Sequence, residues 1–164
     1  YFTACGADPE ARIGEAPDPA PHLIPLVLAA AAGRRKSVAV FGDDYPTPDG
    51  TCIRDYIHVD DLARAHVLAL AYLAAGGATT AVNVGTGIGS SVREVIAATE
   101  AASGRPVPFI DAPRRAGDPV TSFADARRAE AVLGWKANYG LREIIDTAWA
   151  WHSANRTGYP TSSR

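Results

Sequence analysis

Extended runs in this sequence are short and far apart, and that limits its possible folds more than any other feature. Val38-Ala39-Val40-Phe41 is a buried strand of four residues, stopped by Gly42. Ile53 to Val59 alternates enough to be extended, and Ala81 to Val84 and Pro108 to Ile110 are briefer strands. The helical stretches are longer. Leu23 to Ala32 is apolar and alanine-rich and closes at Gly33, with Pro25 in the first turn, where a missing N–H costs little. Leu62 to Ala75 follows Asp60 or Asp61 as a cap and stops at Gly76-Gly77. Ser91 and Glu94 have capping-box spacing and open a helix to about Ala102, ended by Gly104. Asp125 caps a helix ending at Leu133-Gly134, and Leu141 to His152 puts Ile144, Ile145, Ala148 and Trp149 on or near one face. Glu10 to Pro21, Asp43 to Thr51 and the basic stretch Asp111 to Pro119 are loops. This mixture is α/β or α+β, with few strands for its length. A sheet this small needs another layer to cover it, which suggests a missing half.

The bulk numbers agree with part of a domain. The chain has 164 residues, 47% of them hydrophobic and 21% charged, with a formal net charge of −2. That balance gives no reason to expect a nucleic-acid or anionic-membrane partner. No apolar run is long and pure enough to span a bilayer, and no signal-peptide pattern opens the chain. Cys5 and Cys52 are too few and too far apart for a metal motif, so a reduced, cytoplasmic setting is the simpler reading, with a single bridge between them left open. There is no methionine, and Tyr1-Phe2-Thr3-Ala4 reads as a strand entering a loop. The expectation is a chain cut from something longer.

Three clusters could carry chemistry. Gly85-Thr86-Gly87-Ile88-Gly89 stands between a strand and a helix, as a dinucleotide-binding turn would. The third glycine of that pattern falls at Ser90, however, and no acidic residue closes a second strand at the expected distance, so a tight turn is the better reading. Arg54 sits in a dense polar run from Asp43 to Asp61. Its planar fork suits phosphate oxygens, but an ion pair with Asp55 or Asp60 fits equally well. His58 has no nucleophile or ligand beside it and reads as a structural hydrogen-bonding residue. Arg114-Arg115-Ala116-Gly117-Asp118 could hold a diphosphate, with the aspartate accepting from sugar hydroxyls, or could be a solvated basic loop. His22, His58, His66 and His152 show no metal-ligand spacing. Trp135, Trp149 and Trp151 read as core or rim. From the residues alone, the chain is an α/β portion suited to an anionic, hydroxyl-rich ligand.

The run from Phe41 through Gly42-Asp43-Asp44-Tyr45-Pro46-Thr47-Pro48-Asp49-Gly50-Thr51-Cys52-Ile53-Arg54-Asp55-Tyr56-Ile57-His58 to Val59 is very similar to the signature of the UDP-glucose 4-epimerases, within the extended short-chain dehydrogenase/reductase superfamily. Tyr1-Phe2-Thr3-Ala4-Cys5-Gly6-Ala7, His22-Leu23-Ile24-Pro25, Asn83-Val84-Gly85-Thr86-Gly87 and Ala112-Pro113-Arg114-Arg115-Ala116-Gly117-Asp118 match in the same order. Leu133-Gly134-Trp135 and Gly158-Tyr159-Pro160 also fit.

The resemblance covers nearly the whole chain. It implies that residues 1–164 are the C-terminal, UDP-sugar-binding portion of a Rossmann-like α/β fold with a small mixed sheet. The NAD-binding half would be absent. Arg54 and Arg115 would hold the UDP diphosphate, Asp118 the uridine ribose, Ala39 and Phe41 the uracil, and Leu23, with His22 beside it, the sugar end. Tyr1 would lie near the nicotinamide of NAD. The family's Ser/Thr and Tyr-x-x-x-Lys catalytic residues would precede Tyr1, so none is expected here. In such an enzyme a tyrosinate takes the 4-hydroxyl proton while NAD takes hydride from C4; the keto sugar turns, and hydride returns to its other face. Remote binding of the nucleotide then does the positioning. The resemblance also implies a UDP-hexose substrate and a homodimer.

Two departures bear on specificity. Thr3 stands where the family usually has an asparagine bonded to the sugar, and the small Ser122 stands where narrow-pocket members carry tyrosine. A 4-epimerase of another UDP-sugar, an N-acetylhexosamine or a pentose, is the alternative. A non-catalytic nucleotide-sugar-binding fragment is another.

Overall fold

The sheet is assembled on one strand, β3 (Ile53–His58), because its two ends recruit different partners. In the computed structural model, which describes residues 1–16, 22–156 and 158–159, the C-terminal end of β3 pairs in parallel with β1 (Thr3–Cys5), Thr3 facing Tyr56. Its N-terminal end pairs antiparallel with β4 (Gly89–Ser91) and in parallel with β6 (Thr121–Ser122). A separate two-stranded parallel sheet joins β2 (Val38–Phe41) to β5 (Phe109–Ala112). The expected loop Glu10–Pro21 lies outside the described residues beyond position 16, as does Pro160.

Five helices pack on these strands: α1 (Leu23–Ala31), α2 (Val59–Ala74), α3 (Val92–Ser103), α4 (Arg127–Leu133) and α5 (Leu141–Ala154). The main core joins Val27 and Leu28 of α1, Val38 and Val40 of β2, Val95 and Ile96 of α3, and Ile144 and Ile145 of α5. A smaller cluster joins Ile57, Ala65, Val84, Ala129 and Trp135. Alternation along β3 serves both, since Tyr56 belongs to the first and Ile57 to the second. Trp135 and Trp151 are buried, as expected of core tryptophans.

Local expectations change at residues 81–84 and at the cap of α2. Ala81 to Val84 forms no strand; Phe2 donates its N–H to the Val84 carbonyl at 3.1 Å, but no regular ladder develops there. The cap of α2 is His58, whose Nδ1 accepts from the Asp60 N–H at 3.1 Å. Asp61 turns inward instead and accepts from the Asn138 and Tyr139 amides at 2.8 and 3.0 Å, which ties α2 to the segment entering α5. The Ser91–Glu94 capping box forms as the spacing predicts, and the left-handed Gly104 ends α3. Cys5 and Cys52 are both buried free thiols. No described helix is long and apolar enough to cross a membrane.

Candidate nucleotide-sugar site

Ala39 and Phe41 share the outer face of β2, because Val38 and Val40 take the inner one. Parallel pairing sets Ile110 beside Ala39 and Ala112 beside Phe41. Ile110 is exposed and extends this apolar floor; sequence reading missed it, because nothing local announces which strand β2 will pair with.

Arg54 lies in register with Ser122 of β6 and Ser90 of β4. Its Nη1 donates to the carbonyls of Ile53 and Pro119, both at 2.8 Å, and its Nη2 is 3.7 Å from a carboxylate oxygen of Asp118. Neither Asp55 nor Asp60 is its partner, which corrects that alternative. Arg115 Nε donates to Asp118 at 3.0 Å, and its guanidinium lies 4.8 Å from the centre of the Phe41 ring. The turn between Arg115 and Asp118 closes through the Asp118 N–H and the Arg115 carbonyl, with Gly117 at φ +85° as a type II turn needs. Phe41, Arg54, Arg115, Asp118 and, by register, Ser122 thus gather at one place. Two guanidinium charges meet one carboxylate there, so the group keeps an excess positive charge that favours an anion.

The other expected site residues stand on other elements. Thr3 is half-buried on β1. His22 is exposed at the N-cap of α1, and Leu23 begins that helix and packs on the main core. Tyr1 is 76% exposed. Among the described residues none of these four bonds to the arginine group. Opposite Thr3, burial pushes the Tyr56 phenol well above its ordinary range and so keeps it protonated.

The glycine-rich turn has a different occupation. The amides of Thr86 and Gly87 donate to the fully buried Asp55 carboxylate, each at 2.9 Å, and Ala124 adds a third at 3.1 Å. The Thr86 hydroxyl donates at 2.6 Å. A Cβ on Gly85 would stand 2.6 Å from Asp55 Oδ2, so glycine permits the approach. The donors that would cradle a dinucleotide pyrophosphate are turned onto an internal carboxylate, and this turn does not fit NAD. His58 is likewise structural: it is buried, Nε2 is 3.0 Å from the Thr147 hydroxyl, and the ring stacks on Tyr139.

Residues 1–85 match the family model described as the NAD dependent epimerase/dehydratase family. The chain belongs to that family. It is 49% identical to the UDP-glucose 4-epimerase of Halalkalibacterium halodurans, over all of this chain and 49% of that protein. Identity to the UDP-glucose 4-epimerase of Rhizobium leguminosarum bv. trifolii is 54%, over 93% of this chain and 47% of that one. Among solved structures, the UDP-glucose 4-epimerase of Stenotrophomonas maltophila, with bound NAD and formylated UDP-arabinopyranose, superposes with a TM-score of 0.91 at 49% identity. That match covers 94% of this chain and 46% of the other. The epimerase-family chain therefore has the Rossmann-like α/β fold of these enzymes and spans about half the length of the curated relatives it matches.

Proposed function

We propose that this chain is the C-terminal, UDP-sugar-binding portion of an NAD-dependent UDP-glucose/UDP-galactose 4-epimerase. The observation that carries the reading is the meeting of Arg54 and Arg115 on Asp118 beside the Phe41 ring. Both guanidiniums can turn from Asp118 to a diphosphate, which offers more acceptor oxygens and more charge. Asp118, released, can accept from ribose hydroxyls, and the Ala39–Phe41 floor can support a flat base. Firm hold on the nucleotide would leave the hexose free to turn.

NAD would supply hydride removal and return at C4 and would be bound mainly by a preceding half, Tyr1 being this chain's contribution. That half would also bring the catalytic tyrosine and lysine; no tyrosine in this chain is followed four residues later by lysine. By itself the chain would bind without turning over. The complete protein would be a cytoplasmic homodimer.

Calorimetric titration of UDP into the chain, with Arg54→Ala and Arg115→Ala beside it, tests the reading. Each loss of a charge-assisted pair should weaken binding roughly ten- to a hundredfold. A folded chain with no affinity for UDP, or with affinity indifferent to both substitutions, would overturn the self-sufficient nucleotide site.

The small Ser122 beside Arg54 favours a second reading, in which the sugar pocket admits an N-acetylhexosamine or a pentose. In the complete enzyme, Ser122→Tyr should then abolish turnover of UDP-N-acetylglucosamine and spare UDP-galactose. Equal effects on both substrates would refute the pocket-size role.

A further inference from the structure

Resting on the nucleotide reading above, we infer that Arg114 is a positioning residue, which clamps its loop so that the neighbouring Arg115 faces the ligand. The two arginines are adjacent in sequence but act on different partners. The Arg114 guanidinium lies 4.1 Å from the centre of the buried Tyr45 ring. Its Nε donates to Asp44 Oδ1 at 2.6 Å, and its Nη2 donates to the Asp44 backbone carbonyl at 2.5 Å. All three contacts fall on one loop, 42–51, which is itself firmly tied. The Tyr45 N–H meets the Gly50 carbonyl at 2.9 Å, the Thr47 hydroxyl meets the Thr51 carbonyl at 2.7 Å, and Asp49 accepts from the Thr51 amide at 2.9 Å.

Gly42 makes the clamp close enough to work. At φ +85° a Cβ there would stand 2.5 Å from the Tyr45 ring and 2.7 Å from Arg114 Cγ. Its own N–H meets the Ala112 carbonyl at 2.8 Å, so the end of β2, the end of β5 and the Arg114 stem are pinned together. The next residue along, Arg115, has no such anchorage. Its guanidinium is the more exposed of the two and, among the described residues, rests on Phe41 and Asp118 alone. With Arg114 fixed on Tyr45, the chain delivers the Arg115 side chain to Phe41. Without that bond, the Pro113 to Pro119 loop would keep its turn bond and the half-buried Arg54–Asp118 pair near its C-terminal end, and its N-terminal half would lose its side-chain anchor. The ligand it serves is a nucleoside diphosphate, and Arg114 never touches it.

UDP titration distinguishes this role from a plain charge effect. Arg114→Ala should raise the dissociation constant roughly tenfold, and Asp44→Ala, which attacks the clamp from its exposed side, should do so too. Arg114→Lys keeps the charge but loses the flat stack and the forked donor pair, so it should restore little of the affinity. The slope of log K against log salt should stay that of the unsubstituted chain in Arg114→Ala and fall in Arg115→Ala. Thermal midpoints measured alongside should differ little between Asp44→Ala and the parent. Full affinity in Arg114→Lys, or a salt slope reduced by Arg114→Ala, would mean that Arg114 acts through its charge and would overturn the inference while leaving the nucleotide reading intact. Normal affinity in Arg114→Ala and Asp44→Ala would also overturn it. A parent chain without UDP affinity would remove both.

Discussion

His58 shows how one side chain couples acidity to fold. Burial holds its imidazole below the usual range, with Asp60, Asp61 and Glu143 partly offsetting that effect. The folded chain therefore refuses a proton that the unfolded chain accepts below about pH 6.5. Stability is fully present above that value and falls as the pH drops through it, because the unfolded state binds more protons there. His152 shifts in the same direction, through burial and the nearby Arg34. Urea midpoints taken between about pH 7.5 and 5.5 should decline, and His58→Gln should flatten the decline to the His152 part. An unchanged slope in that variant would remove His58 as the cause. At this scale the sequence was informative where a residue's partner lies within its own motif, as with Arg115 and Asp118. For Arg54 it offered the neighbouring Asp55 or Asp60, whereas the carboxylate partner, Asp118, lies more than sixty residues on, and it was silent on Arg114, whose partner Asp44 precedes it by seventy.

At the scale of elements, helices were more legible than strands, because a helix carries its own bonds and caps. Ser91, Glu94 and Gly104 fixed both ends of α3 from sequence, and the left-handed glycine appears where expected. Strands need a partner, and the partner is non-local. Ala81–Val84 has strand-like residues and forms no ladder, whereas Gly89–Ser91, with little strand propensity, pairs with β3. Ser91 has a double duty there: its hydroxyl accepts from the Glu94 amide at 3.0 Å and donates to Asp49, which joins α3 to the signature loop. Ser91→Ala should cost about 1–2 kcal/mol in denaturant unfolding. A cost under about 0.5 kcal/mol would show that the cap alone matters little and that the link to Asp49 adds nothing.

Across the whole molecule, burial is uneven. Val67, Leu70 and Leu73 of α2 are 65%, 69% and 52% exposed and form one apolar stripe, while the opposite face buries Asp61 and Ala65. The sequence raised the expectation of a further layer over the small sheet, whereas an exposed stripe on α2 was not readable from it. An apolar stripe of this kind drives association. Sedimentation of the chain should show weight-average mass rising with concentration, and Leu70→Glu should suppress the rise without altering UDP affinity. A chain that stays monomeric at all concentrations would mean that the stripe is too narrow to act.

The Asp55 carboxylate, enclosed by three amides and a hydroxyl, is in effect a permanently tethered ligand. Asp55→Gly would leave a vacancy shaped for a small carboxylate, at an expected cost of about 1–3 kcal/mol for each donor left orphaned. Added formate or acetate should then refill it and raise the melting temperature of the variant alone, a chemical rescue in which a buffer component stands in for a deleted side chain.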